Sequence, residues 1–145
     1  MPLLDFEIVR EGWTIVELED KTIIRMRPVL LFVRKDIPRS RKSRVKEGMR
    51  FNLEFGVWGL KKGRPSKKPV DAELIRQNVV KRNLSFRFLR RGDSLYRTER
   101  GDLRVVVTPT QFDKSRLFDQ DGEPLYLVVH ELSAALAAKA ERSRG

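Results

Sequence analysis

Cysteine is absent from this chain, so neither a disulfide framework nor a thiolate metal site is available. Histidine occurs once, at His130. A single imidazole excludes a His-rich zinc or iron site, and any His-based triad would have to rest on that residue. Amide side chains are few: Asn52, Asn78, Asn83, Gln77, Gln111 and Gln120. Set beside abundant Arg, Lys and Glu, this scarcity fits a heat-adapted (thermophile) source, although a GC-rich genome also raises Arg. Long apolar runs are missing too. The longest, Val29-Leu30-Leu31-Phe32-Val33, is far short of the roughly 20 residues that span a bilayer. Met1 to Val9 is only briefly apolar and is broken by Asp5 and Glu7. The expectation is a soluble, cytoplasmic protein with no membrane partner.

What is present is positive charge in one place. Residues 34–69 hold 13 Lys/Arg against 3 Asp/Glu, which is +10 of the +11 carried by all 145 residues. Solubility does not require such concentration. It attracts polyanions, and nucleic acid is the most abundant polyanion in a cell. Hydrophobic residues make up 40 %, enough for one modest core, and the length is that of one domain, residues 1–145.

Most of the chain reads as β-structure. Trp13 to Glu19 alternates, and Thr22 to Val33 is a second strand-like run, with Asp20-Lys21 between them at hairpin length. Pro28 lacks a ladder donor, which places it at an edge or a bulge. Phe51 to Trp58 alternates cleanly, with Phe51, Leu53, Phe55 and Val57 on one face. Residues 71–82 suit a short helix capped by Asp71. A meander follows, with strands at 84–89, 94–98 and 103–108, the last ended by Pro109. Asp121-Gly122 marks a hairpin turn before a strand at 124–129. Glu131 to Ser143 is Ala-rich and predicts a C-terminal helix. The expected fold is therefore mainly β: a small antiparallel barrel or curved sheet with a C-terminal helix and two long basic loops, 34–50 and 59–69.

Those loops supply the candidate nucleic-acid-binding residues. The first holds Arg34, Lys35, Arg39, Arg41, Lys42, Arg44, Lys46 and Arg50. Its Arg39-Ser40-Arg41-Lys42-Ser43-Arg44 core alternates basic with hydroxyl residues. Guanidinium groups bind phosphate bidentately, and Ser adds a further hydrogen bond. The second reads Lys61-Lys62-Gly63-Arg64-Pro65-Ser66-Lys67-Lys68. This segment resembles the AT-hook, whose Gly-Arg-Pro core flanked by basic residues lies extended in the minor groove of A·T-rich DNA. The resemblance covers residues 61–68 only, and Ser66 stands where a basic residue usually follows the core. It implies that Arg64 enters the groove, that Gly63 and Pro65 set the backbone, and that Lys61, Lys62, Lys67 and Lys68 meet phosphates.

Other features divide between function and structure. Phe86 and Phe88 flank Arg87 at the spacing of a base-stacking platform, or both face the core. Trp13 and Trp58 read as core or rim residues, and Trp58 leads directly towards Lys61. His130 precedes Glu131 without visible catalytic partners. Asp119, Asp121 and Glu123 form a polar turn that lacks the spacing of a calcium loop. The favoured function is non-catalytic nucleic-acid binding, as a chromatin-type or regulatory DNA binder or an RNA- or ribosome-associated protein, with no cofactor. One alternative is a virion-type assembly protein with basic arms. Another is a metal-dependent nuclease using Asp93, Glu99 and Asp102.

Overall fold

The computed structural model describes residues 3–36 and 48–138. Period-two burial shapes its first half. In β3 (Thr14–Leu18) and β4 (Ile23–Arg34), Thr14, Val16, Leu18, Ile24, Met26, Pro28 and Leu30 face inward, and the residues between them face out. Branched and long apolar residues at alternate positions bury one face of a pleated strand, and this fixes the register. The 3–4 hairpin turns at Asp20-Lys21, where Lys21 has φ of 69°. On the other edge of β4 lies β5 (Met49–Trp58), paired from Ile23↔Trp58 to Val33↔Met49.

Among the described residues ten strands form two five-stranded antiparallel sheets, accompanied by one short helix. In the first, β4 pairs with β5 on one side and with β1 (Leu3–Leu4) and β3 on the other, and β3 pairs with β7 (Phe86–Arg90). In the second, β2 (Phe6–Glu11) pairs with β8 (Ser94–Thr98), β8 with β9 (Gly101–Phe118), and β9 with β10 (Pro124–Ala138). The short β6 (Val79–Lys81) also pairs with β9. The helix, α1 (Ala72–Gln77), lies against β9 and β10, and its N-terminus is capped by Asp71 accepting from Leu74 N–H at 2.8 Å.

The two sheets are halves of one curled half-barrel. β2 and β3 are successive arms of one bent strand, and β7 and β8 are arms of its neighbour. Their bends lie side by side: Gly12 N–H donates to the Asp93 carbonyl at 2.9 Å, and Gly92 N–H to Thr14 Oγ1 at 3.0 Å. A Cβ on Gly92 would sit 2.4 Å from the Trp13 carbonyl oxygen, so only glycine permits this approach. Across the bend, Asp93 accepts hydrogen bonds from Arg10 Nε and Nη2 at 2.8 Å each and from Arg104 Nε at 2.8 Å. The hydrogen-bonded Arg10, followed by Arg104, holds the Asp93 carboxyl well below the usual carboxylate range. On the far side the barrel is open. The outer edges of β5 and β10 pair with no strand among the described residues, and an apolar groove between them is lined by Phe55, Val57, Leu125, Leu127 and His130.

The inner faces make two adjoining clusters. One gathers Leu30, Val33, Tyr96, Leu103 and Val105; the other gathers Val16, Ile24, Met26, Phe112 and Tyr126. Both buried tyrosine hydroxyls are satisfied. Tyr96 donates to Glu11 at 2.6 Å and accepts from Leu30 N–H at 3.1 Å. Burial, then the bond to Glu11, pushes its phenol up to about 12. Tyr126 donates to Asp20 Oδ2 at 2.6 Å, where Lys114 Nζ also donates at 2.7 Å.

Several expectations change. Residues 131–138 extend β10 instead of starting a helix, and 139–143 lie outside the described residues. The reason is tertiary: β9 pairs with β10 as far as Ala138↔Gly101 and its core contacts use Leu132, Ala134 and Leu136. Pro109 does not end its strand. It sits at a register shift opposite His130, where a bulge accommodates the missing donor. Pro28 lies on the edge of β4 between its pairings with β3 and β1, where no strand pairs among the described residues, and its carbonyl accepts from Ser94 Oγ at 3.3 Å. The helix is shorter than expected, because Val79–Lys81 pairs with β9. Phe55 faces inward but lies at the open seam, 47 % exposed.

The Asp20 cluster makes a pH prediction. Burial raises its carboxyl pKa, but hydrogen bonds from Lys114, Tyr126 and Thr22 outweigh that and hold it at about 2. A depressed pKa stabilises the fold above the unfolded value of about 3.9 and ceases to do so as pH falls through about 2. The melting temperature is therefore expected to fall across this window. In Asp20→Asn it should be lower at neutral pH and fall less steeply on acidification. It should not become flat, because Asp93 titrates in the same direction. Parallel curves for parent and variant would contradict the assignment.

Candidate functional site

Of the first basic block, Arg39, Arg41, Lys42, Arg44 and Lys46 lie outside the described residues. Its ends are strand, not loop. Arg34 closes β4 and Arg50 belongs to β5, because the β4–β5 ladder continues to Val33↔Met49. Arg34 is bound by Asp36, with Nε to Oδ1 at 3.0 Å; Lys35 and Arg50 are exposed.

The second block is a loop between β5 and α1, and it is pinned. Gly63 N–H donates to the Gly122 carbonyl at 2.8 Å, and Ser66 N–H to the Asp119 carbonyl at 2.9 Å. Both acceptors belong to the turn joining β9 and β10. Gly63 packs against the Phe118 ring, where a Cβ would come within 2.3 Å of ring carbons. Ser66 Oγ donates to the Lys68 carbonyl at 2.6 Å, closing a local turn. The acidic turn therefore serves as a dock. The Asp119 carboxylate accepts from Asp121 and Glu123 N–H at 2.8 and 2.9 Å. Lys61, Lys62, Arg64, Pro65, Lys67 and Lys68 all point to solvent. Among the described residues no carboxylate forms an ion pair with any of these five cations. Lys61 and Lys62 line a hollow of about 320 Å³ with Asp20, Thr22, Lys114 and Phe118.

Strand pairing assembles a third cationic surface. The outward residues of β4 include Arg25 and Arg27, and Trp13 and Trp58 close over them. The Arg25 guanidinium lies 4.0 Å from the Trp13 ring centre and 4.9 Å from that of Trp58; Arg27 lies 4.4 Å from Trp13. The readable signal was the alternation of β4, which puts Arg25 and Arg27 on the face away from the core. Their meeting with Trp13 and Trp58 depends on strand pairing and is not local.

The remaining candidates are spread over strands and turns of both sheets. Phe86 packs on Phe112 at 4.9 Å and on Phe88 at 5.6 Å, at the core face. His130 is exposed on β10, 6.4 Å from Phe55. Asp93 is held by two arginines at the barrel bend, Glu99 is exposed in the β8–β9 turn, and Asp102 pairs with Arg97 at 3.8 Å. Among the described residues no three His, Asp or Glu side chains gather as a metal site, and no helix is long and apolar enough to cross a membrane. Compared with known proteins, the chain matches no family model, no curated protein and no solved structure.

Proposed function

We propose that this protein binds nucleic acid without catalysis, contacting phosphates through its basic segments. One observation carries the reading. Residues 61–68 are fastened to the β9–β10 turn by main-chain hydrogen bonds, yet their five cations stay solvent-facing with no acidic partner among the described residues. A solubilising loop has no need to be fastened. Fixing the backbone lowers the ordering cost of holding several ammonium and guanidinium groups against a polyanion. Within this reading Arg64, between Gly63 and Pro65, is the residue for minor-groove insertion on an A·T-rich duplex, and the cytoplasm is the setting.

The test is what accompanies the protein when it is purified in low salt and never exposed to a high-salt wash. Bound nucleic acid, removed by nuclease or by salt, is the expected result. A stoichiometric acidic protein in its place would overturn the reading in favour of an assembly role.

A further inference from the structure

We propose that the outer face of the first sheet binds single-stranded nucleic acid, with a base stacked on Trp58; this rests on the nucleic-acid reading above. Gly56 stands opposite Arg25 in the β4–β5 ladder. A Cβ there would lie 2.9 Å from Arg25 Nε and 3.5 Å from the Trp58 ring, so glycine leaves room for both side chains to pack against β5 at this point. The result is a layered Trp13–Arg25–Trp58 stack in which one indole remains 49 % exposed.

The charge on this face is what selects the occupant. Arg25 Nε is buried and has no hydrogen-bond partner among the described residues. Among the described residues the carboxylates on this face are already taken, Glu54 by Arg27 at 2.7 Å, Glu17 by Arg87 at 2.8 Å and Glu19 by Lys81 at 2.8 Å. Among the described residues none pairs with Arg25 or with Arg90, which stands beside Ile15 on the same face. A cover that served only the fold would be neutralised by acidic neighbours. This one keeps net positive charge beneath a flat, half-exposed aromatic ring.

Such a surface complements a flexible polyanion with free bases. Stacking on an indole accepts any base, because every base has a π-face, and cations alongside receive the flanking phosphates. Lys61 and Lys62 follow Trp58 in the chain and line the hollow at the same end of the sheet. A duplex cannot use the ring, since its bases already stack on one another. The stack also pre-orients Trp58, because Arg25 holds one face of its indole and leaves the remainder for the ligand.

The experiment compares labelled oligo-dT, oligo-rU and a duplex of equal length, by anisotropy and by intrinsic tryptophan fluorescence. Both single strands are expected to quench tryptophan emission and to bind more tightly than the duplex. Trp58→Ala should weaken single-strand binding on the order of tenfold and leave duplex binding unchanged. Trp58→Phe, which keeps an aromatic face, should retain most of the affinity. Melting temperatures of both variants separate a binding loss from unfolding. Tighter binding to duplex, or parental oligonucleotide affinity in Trp58→Ala, would overturn this inference and leave phosphate binding by the basic segments standing. A parent protein that binds none of the three would overturn both.

Discussion

Replacing Phe112 with alanine is expected to cost about 3–5 kcal/mol, lowering the melting temperature by roughly 10–15 °C. Phe112 is fully buried in β9, where its ring meets Phe86 at 4.9 Å within the cluster that joins the two sheets. Truncation removes the transfer energy of the ring and leaves a cavity that strands on both sides cannot collapse into, because their ladders fix them. Phe55→Ala makes the control. It removes the same side chain from β5, but Phe55 is 47 % exposed at the open seam. Its cost should be well under half that of Phe112→Ala. Chemical denaturation of both variants checks the ranking, and equal losses would contradict the placement of the core.

Removing the charge of the pinned loop should act on binding and spare the fold. In a variant with Lys61, Lys62, Arg64, Lys67 and Lys68 all changed to alanine, affinity for nucleic acid near 0.1 M salt is expected to fall by roughly two to four orders of magnitude. The lower figure holds if half of the cations meet phosphates, the upper if all do. Exposed cations without partners contribute little to stability, and the anchors Gly63 and Ser66 are untouched, so the melting temperature should change little. A variant that unfolds readily would reassign these residues to structure. One that binds like the parent would remove them from the interface.

Legibility in the sequence followed the range of the interactions. Phe51 to Trp58 announces a strand because its alternation is local, and β5 forms there, extended to Met49 by the β4 ladder. Asp71 announces a helix start by the same token. β2 was not legible: Ile8 and Val9 are adjacent, apolar and exposed, and the strand exists because β8 pairs with it. Residues 131–138 misled for a related reason. Alanine favours a helix by only a few tenths of a kcal/mol per residue, whereas a continuous ladder to β9 and burial of Ala134 act together over the whole segment. At the candidate site, the Lys61–Lys68 cluster was visible as composition. Its attachment to the Asp119–Gly122 turn was not, since those partners are distant in sequence. The Trp13–Arg25–Trp58 stack was hidden in the same way, distributed over three segments that only strand pairing unites.

The central claim is that this surface binds a polyanion by displacing its counterions, and salt tests it most directly. Affinity of the parent protein is measured by fluorescence anisotropy across roughly 50 to 200 mM salt. Neutralisation of about six to eight phosphates predicts a log–log slope near −5 to −7 on duplex DNA, and a somewhat shallower one on single strands. An affinity that stays flat across that range would contradict the account.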